Sequence, residues 1–170
     1  MSGAPDFGSR YMQLSNQDPY IQSVARQGQA ITNRMPYDYP MTIGNAATPL
    51  TLAAGALNGF ITTLADSDFV VESISASVNL TANSDMKFDR NIVFQLQDTS
   101  SGKFFYSAPI VMALGAGAGG YPLKYAAPRV IRPNTTILGT AQNRDTGQDY
   151  FSFFLTLHGT RIFYATEQAT

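Results

Sequence analysis

The 170-residue chain contains no cysteine and no tryptophan. Without cysteine, a disulfide framework, a thiolate metal site and a cysteine nucleophile are all excluded. Charge is scarce too: Asp, Glu, Lys and Arg make up 14% of residues, and the net charge is −1. A near-neutral chain exerts no bulk attraction on nucleic acid or on an anionic lipid surface, so neither is expected as a partner. The arginines (Arg10, Arg26, Arg34, Arg90, Arg129, Arg132, Arg144, Arg161) are scattered rather than gathered into a basic patch. No apolar run approaches the ~20 residues that a spanning helix needs, and the 14 Gly and 9 Pro are foreign to a coiled coil.

What the chain does have is 11 Phe and 9 Tyr, many β-branched residues, and frequent Gly, Pro and Asn between them. Aromatic and β-branched enrichment with that punctuation is the signature of an all-β domain. At this length the chain suits one domain, which can bury a sizeable core unaided. The shortage of charge also fits a surface covered by neighbours, because interface cores are depleted in charged residues.

Two regions separate along the chain. Residues 1–44 hold Gly3, Pro5, Gly8, Pro19, Gly28, Pro36 and Pro40 and lack strong alternation. Asp18-Pro19 could cap a short helix over Tyr20 to Asn33. The segment Met35-Pro36-Tyr37-Asp38-Tyr39-Pro40 must be extended, since a residue before proline is pushed out of the α region. The whole stretch reads as an extended N-terminal arm. Met1 to Arg10 show no basic cluster followed by an apolar core, so no secretory leader is expected.

Residues 45–170 read as the folded body. Ile74, Ala76, Val78 and Leu80 alternate with serines and Asn79; Ile92, Phe94 and Leu96 alternate with glutamines; Phe151, Phe153, Leu155 and Leu157 alternate with Ser152, Thr156 and His158. Period-two alternation marks half-buried strands. Weaker strand candidates are Leu50–Ala53, Phe60–Leu64, Phe104–Ser107, Ile110–Leu114, Val130–Arg132, Ile137–Asn143 and Arg161–Tyr164, with turn signals between them. Short strands without a crossover helix predict a two-sheet antiparallel β-sandwich with jelly-roll or Greek-key connections. Phe94, Leu96, Phe153 and Leu155 are the expected core.

Three patterns bear on chemistry. Gly115-Ala116-Gly117-Ala118-Gly119-Gly120 satisfies G-x-G-x-x-G, but Tyr121-Pro122 follows where a phosphate-binding helix must begin, so a glycine loop between strands is expected and no nucleotide cofactor. His158 is the only histidine. It falls on the polar side of its strand, and no G-x-S-x-G supplies a nucleophile for it, so it reads as a hydrogen-bonded surface residue. The carboxylates Asp66/Asp68, Asp85/Asp89 and Asp145/Asp149 lie at turns, where Asp bonds nearby backbone N–H groups. Asn143 to Asp149 has a partial calcium-loop spacing, but Phe154 stands where the bidentate acid belongs, so no metal is expected. No catalytic set emerges, and no enzyme is expected.

The arm Met1–Pro40, the strand Phe69–Thr81, and the closing segment from Ile131-Arg132-Pro133-Asn134-Thr135-Thr136 through Leu157-His158-Gly159-Thr160-Arg161 together resemble the small structural proteins of tailed-bacteriophage virions. The nearest type is the jelly-roll cement or decoration proteins that clamp capsid subunits. That resemblance implies a non-enzymatic protein of the virion, assembled in the bacterial host cytoplasm. Its implied partners are the major capsid protein or other virion subunits, and it implies a dimer or trimer. Neck, baseplate and fibre modules share the style, and a carbohydrate- or receptor-binding sandwich is the other class, with Tyr37, Tyr39, Tyr121 and Tyr125 as its stacking candidates. In the arm, Tyr11, Met12, Tyr20, Ile21, Met35, Tyr37 and Tyr39 are too apolar for a spacer and are the expected interface anchors.

Overall fold

The computed structural model describes residues 31–44, 49–64, 66–80, 89, 91–118 and 121–165. The elements are β1 (Ile31–Thr42), β2 (Leu57–Thr63), β3 (Asp68–Asn79), β4 (Ile92–Asp98), β5 (Ile110–Val111), a single helical turn α1 (Met112–Gly115), β6 (Leu123–Ile131), β7 (Thr136–Asn143) and β8 (Ser152–Tyr164). They form two four-stranded sheets with the orders β1-β8-β3-β6 and β2-β7-β4-β5. Every strand pairing is antiparallel. First pairs with last, second with seventh, third with sixth and fourth with fifth, so the chain is a long hairpin rolled up across both sheets. That nesting is the jelly-roll order.

The alternation read from the sequence is the alternation that packs. Ile74, Ala76 and Val78 of β3, Phe94 and Leu96 of β4, and Phe153, Leu155 and Leu157 of β8 all lie buried between the sheets. Phe60 and Phe153 meet across the core with ring centroids 5.5 Å apart. The sandwich and its expected core are therefore as the sequence predicted.

Two irregularities adjust this pattern. The register of β3 shifts between Val71 and Ser73 against both its neighbours. A bulge lets consecutive residues bury: Val71 enters the main core while Val70 joins Ile162 in a small second cluster with Ile31, Val130 and Tyr164. At the same level of β8, Gly159 sits across from Val71, and a Cβ there would lie 1.9 Å from the Val70 carbonyl oxygen. Glycine admits this close backbone approach. Two strands in the sequence reading, Phe151–His158 and Arg161–Tyr164, run through Gly159 as the single strand β8 from Ser152 onward.

The arm reading needs correction at its C-terminal end. Ile31–Thr42 is not a free extension but β1, paired along its length with β8 from Ile31↔Tyr164 to Thr42↔Phe154. Pro36 and Pro40 mislead because prolines oppose central strands. Here they occupy an edge strand, and the ladder runs on through Pro36↔Thr160 and Pro40↔Thr156. Proline is tolerated on such an edge where its missing N–H faces away from the partner. The boundary at residue 44 therefore cuts off a strand of the sandwich. The predicted helix over Tyr20 to Asn33 fails at its last residues, which are strand; its remainder lies outside the described residues. Smaller corrections concern Phe104–Ser107, which makes only the single bridge Gln97↔Phe104, Leu50–Ala53, which makes only Leu52↔Tyr150, and Ile110–Leu114, which turns helical at Met112.

Candidate functional site

Of the seven expected anchors, Tyr11, Met12, Tyr20 and Ile21 lie outside the described residues. The other three sit on β1 with different fates. Met35 and Tyr37 are 38% and 39% exposed, whereas Tyr39 is only 6% exposed. Tyr39 packs edge-on against Phe69 at 4.8 Å, so it is a core residue and not an anchor. Tyr37 is covered in part by the Arg161 guanidinium, 5.2 Å from its ring centre. Arg161 is held there by Ser67 Oγ at 2.8 Å and Asp66 Oδ1 at 2.9 Å.

A surface that the sequence reading did not single out lies on the outside of the β2-β7-β4-β5 sheet. On β2 the outward side chains include Leu57 and Ile61; on β7 they include Leu138 and Thr140; on β4 they include Gln95 and Gln97. Ile61 pairs directly with Leu138, Leu138 with Gln97, and Gln97 bridges to Phe104. This row runs from the edge strand β2 across β7 and β4 to Phe104, and its apolar members, Ile61, Leu138 and Phe104, are all exposed, as is Leu57 beside it. The outward positions of β2, β7 and these two of β4 carry no Asp, Glu, Lys or Arg. The signal was present in Phe60–Leu64 and Ile137–Asn143 as apolar residues on both phases of a strand, but only the register shows that the outward ones align.

The outside of the other sheet carries polar side chains beside Phe154 and the apolar Val70–Ile162 cluster. There His158 of β8 sits between Asp38 of β1 and Ser75 of β3. His158 Nδ1 is 2.8 Å from Asp38 Oδ1, and His158 Nε2 is 2.8 Å from Ser75 Oγ. A carboxylate can only accept, so Nδ1 carries the proton, and in the neutral ring Nε2 accepts from the Ser75 hydroxyl. The three residues line a shallow open depression of about 290 Å³ together with Ala76, Ser77, Phe154 and Thr156. The polar placement of His158 beside Thr156 agrees with the sequence reading. Ser152, the other residue grouped with it, is buried, and among the described residues its hydroxyl has no hydrogen-bond partner. Asp38 and Ser75 are 37 residues apart and 83 residues separate Ser75 from His158, so no local spacing marks the set.

The remaining candidates resolve into structural roles. Gly117 of the glycine motif forms a parallel bridge to Ser75, with its N–H donating to Ile74 O at 3.0 Å and its carbonyl accepting from Ala76 N–H at 2.8 Å. It continues the pairing of β3 past Leu123, the first residue of β6, rather than hanging as a loose loop. Asp68 is fully buried and accepts from Arg132 at 2.8 Å and from Tyr164 Oη at 2.9 Å. Asn143 to Asp149 closes on itself, with Asn143 Nδ2 donating to Gln148 O at 2.6 Å and Asp145 N–H donating to Asn143 Oδ1 at 2.9 Å. Tyr150 Oη donates to Asp89 Oδ2 at 2.6 Å. Burial, then the Asp89 hydrogen bond and the charges of Asp89 and Asp145, push the Tyr150 phenol above its ordinary range. Tyr125, tilted against Tyr106 with their hydroxyls 3.2 Å apart, is raised chiefly by burial as well. Of the four stacking candidates, Tyr121 is exposed while Tyr39 is buried and Tyr125 half-buried, so they form no shared platform.

Among the described residues, no group of three or more His, Asp or Glu is placed to hold a metal ion, and no helix is long and apolar enough to cross a membrane. No protein-family model matches the chain, and no curated protein matches it in sequence.

Proposed function

We propose that this chain is a structural protein of a tailed-bacteriophage virion that binds and stabilises the capsid shell, as a cement, decoration or minor capsid protein. Its partners on this reading are the major capsid protein or other virion subunits, and it assembles as a dimer or trimer. What carries the reading is the uncharged outer face of the β2-β7-β4-β5 sheet, where Ile61, Leu138 and Phe104 stand exposed in one row on a jelly-roll body. Burial in an interface accounts for a face without charges, and the jelly roll is an architecture that capsid domains use. Attachment on this reading runs through that face and through Met35 and Tyr37 on β1, with Tyr39 withdrawn into the core.

The test is the double variant Ile61→Lys/Leu138→Asp. Both side chains are exposed, so melting should be unchanged, while co-sedimentation with capsid particles should be lost. Unimpaired co-sedimentation removes this face from the reading. A second architecture-level alternative, a glycan-binding sandwich, predicts specific signals on a glycan array with the full chain and no association with particles.

A further inference from the structure

The expectation that the chain has no enzyme activity rested on finding no nucleophile for His158. The fold supplies one. Asp38, His158 and Ser75 lie on three adjacent strands, and the order of their bonds is chemically specific: the carboxylate takes Nδ1 and the hydroxyl takes Nε2, both at 2.8 Å. This is the polarity in which a carboxylate fixes the imidazole tautomer and the free ring nitrogen withdraws a serine proton.

We propose that Ser75 is an acyl-accepting nucleophile, with His158 as its general base and Asp38 as the positioning residue, and that the site cleaves small neutral esters. The class of substrate follows from the depression. At about 290 Å³ and open to solvent, it suits a short acyl group and not a long chain. Phe154 gives it an apolar wall, and no Lys or Arg lines it to select an anion. Ser75 is 6% exposed and is one of the residues that line the depression.

In the first step Ser75 Oγ bonds to the acyl carbon and its proton passes to His158 Nε2. The ester C–O bond then breaks, and the leaving alkoxide takes that proton and departs as an alcohol. Water attacks the acyl carbon next and yields a proton to Nε2. The Oγ–carbon bond breaks, Oγ recovers the proton, and a carboxylic acid leaves. No oxidant or second substrate is needed beyond water. The backbone around Ser75 is committed to the sheet, with Ala76 N–H donating to Gly117 O and Ile74 O accepting from Gly117 N–H. We therefore assign oxyanion stabilisation to the hydroxyl of Thr156, directly across from Ser75 in the β3–β8 register. One side-chain donor in place of a pair of backbone donors makes the acyl-enzyme slower to form, so covalent labelling is a better readout than turnover.

This site occupies the sheet opposite the proposed shell-binding face and does not depend on that reading. The experiment treats the full chain with a fluorophosphonate ester that reacts with activated serines, followed by intact mass and peptide mapping. The expected result is one adduct on Ser75, absent in Ser75→Ala and slowed at least ~100-fold in His158→Gln, as loss of a general base entails. Asp38→Asn should shift the pH profile of labelling, which a merely structural tie would leave in place, and Thr156→Val should slow labelling without moving that profile. Thermal melts establish that each variant is folded. No adduct on Ser75 in the folded wild-type chain, or equal labelling in folded His158→Gln, overturns the proposal and leaves the array as a cross-strand tie.

Discussion

Phe60 of β2 lies directly across from Gly139 of β7, and its ring fills the space a side chain at 139 would take: a Cβ there would come within 2.1 Å of Phe60 Cε2. The pair sits where the Phe60 ring reaches in toward Phe153. Because the clash is with a ring already wedged in the core, Gly139→Ala should destabilise the fold by about 1–3 kcal/mol through overpacking. Denaturant unfolding would show it as a lower midpoint with an unchanged slope. A neutral result would mean that Phe60 has room to move.

Phe153 is fully buried in the central strand β8. Phe153→Ala should cost about 3–5 kcal/mol, the range for large aromatic truncations in packed cores. A loss below about 1 kcal/mol would mean that the site collapses around the change or that the face is misassigned.

Tyr39 tests the corrected reading of β1. If β1 were an arm that orders only on a partner, Tyr39→Ala would leave the isolated chain's melting temperature unchanged. As a strand whose Tyr39 and Met41 side chains close the core, β1 predicts a clear loss for Tyr39→Ala, about 3 kcal/mol by analogy with other aromatic truncations. Met35→Ala, at an exposed position of the same strand, should change stability by no more than about 0.5 kcal/mol.

Alkaline pH should weaken the fold through its buried phenols. The Tyr150, Tyr125 and Tyr106 phenols are all raised above the ordinary value of 10.0, in each case chiefly by burial. A folded-state value above the unfolded one means that the folded state holds its proton longer. The stabilisation is therefore complete below about pH 10 and is lost as pH rises from there through the raised folded values. Urea midpoints measured from pH 8 to 12 should fall only in the upper part of that range. Tyr150→Phe should make the fall shallower, and at neutral pH it should cost about 1.5–3 kcal/mol for the hydrogen bond to Asp89.

Several turns behave as their residues dictate without help from the rest of the molecule. Asp98 accepts from Ser100 N–H at 2.8 Å and from both the Ser100 and Ser101 hydroxyls, at 2.7 and 2.8 Å. Burial alone would raise its carboxyl, but these bonds outweigh it and hold the group below its ordinary value. Asp145 likewise accepts from Gly147 N–H at 2.9 Å. Such bonds span two or three residues, so the order of residues suffices to read them. Strand β1 was the opposite case. Its prolines and weak alternation carried a local message of an unpaired segment, and only pairing with β8, more than a hundred residues away in the chain, turned it into an edge strand.

What the sequence determined by itself follows from short-range physics. Period-two alternation set which residues of β3, β4 and the first half of β8 face the core, Asp, Gly and Asn set where strands turn, and the absence of long helical patterns left a sandwich as the outcome. What only the tertiary structure decided depends on which strand lies beside which. Register aligned Ile61, Leu138 and Phe104 into one uncharged row, withdrew Tyr39 from the surface, and brought Asp38 and Ser75 to the two nitrogens of His158. Alternation specifies the face on which a side chain stands, because neighbouring residues point to opposite sides of a strand. It carries no information about the side chain's neighbours on that face, since these belong to strands whose pairing is settled by the packing of the whole chain.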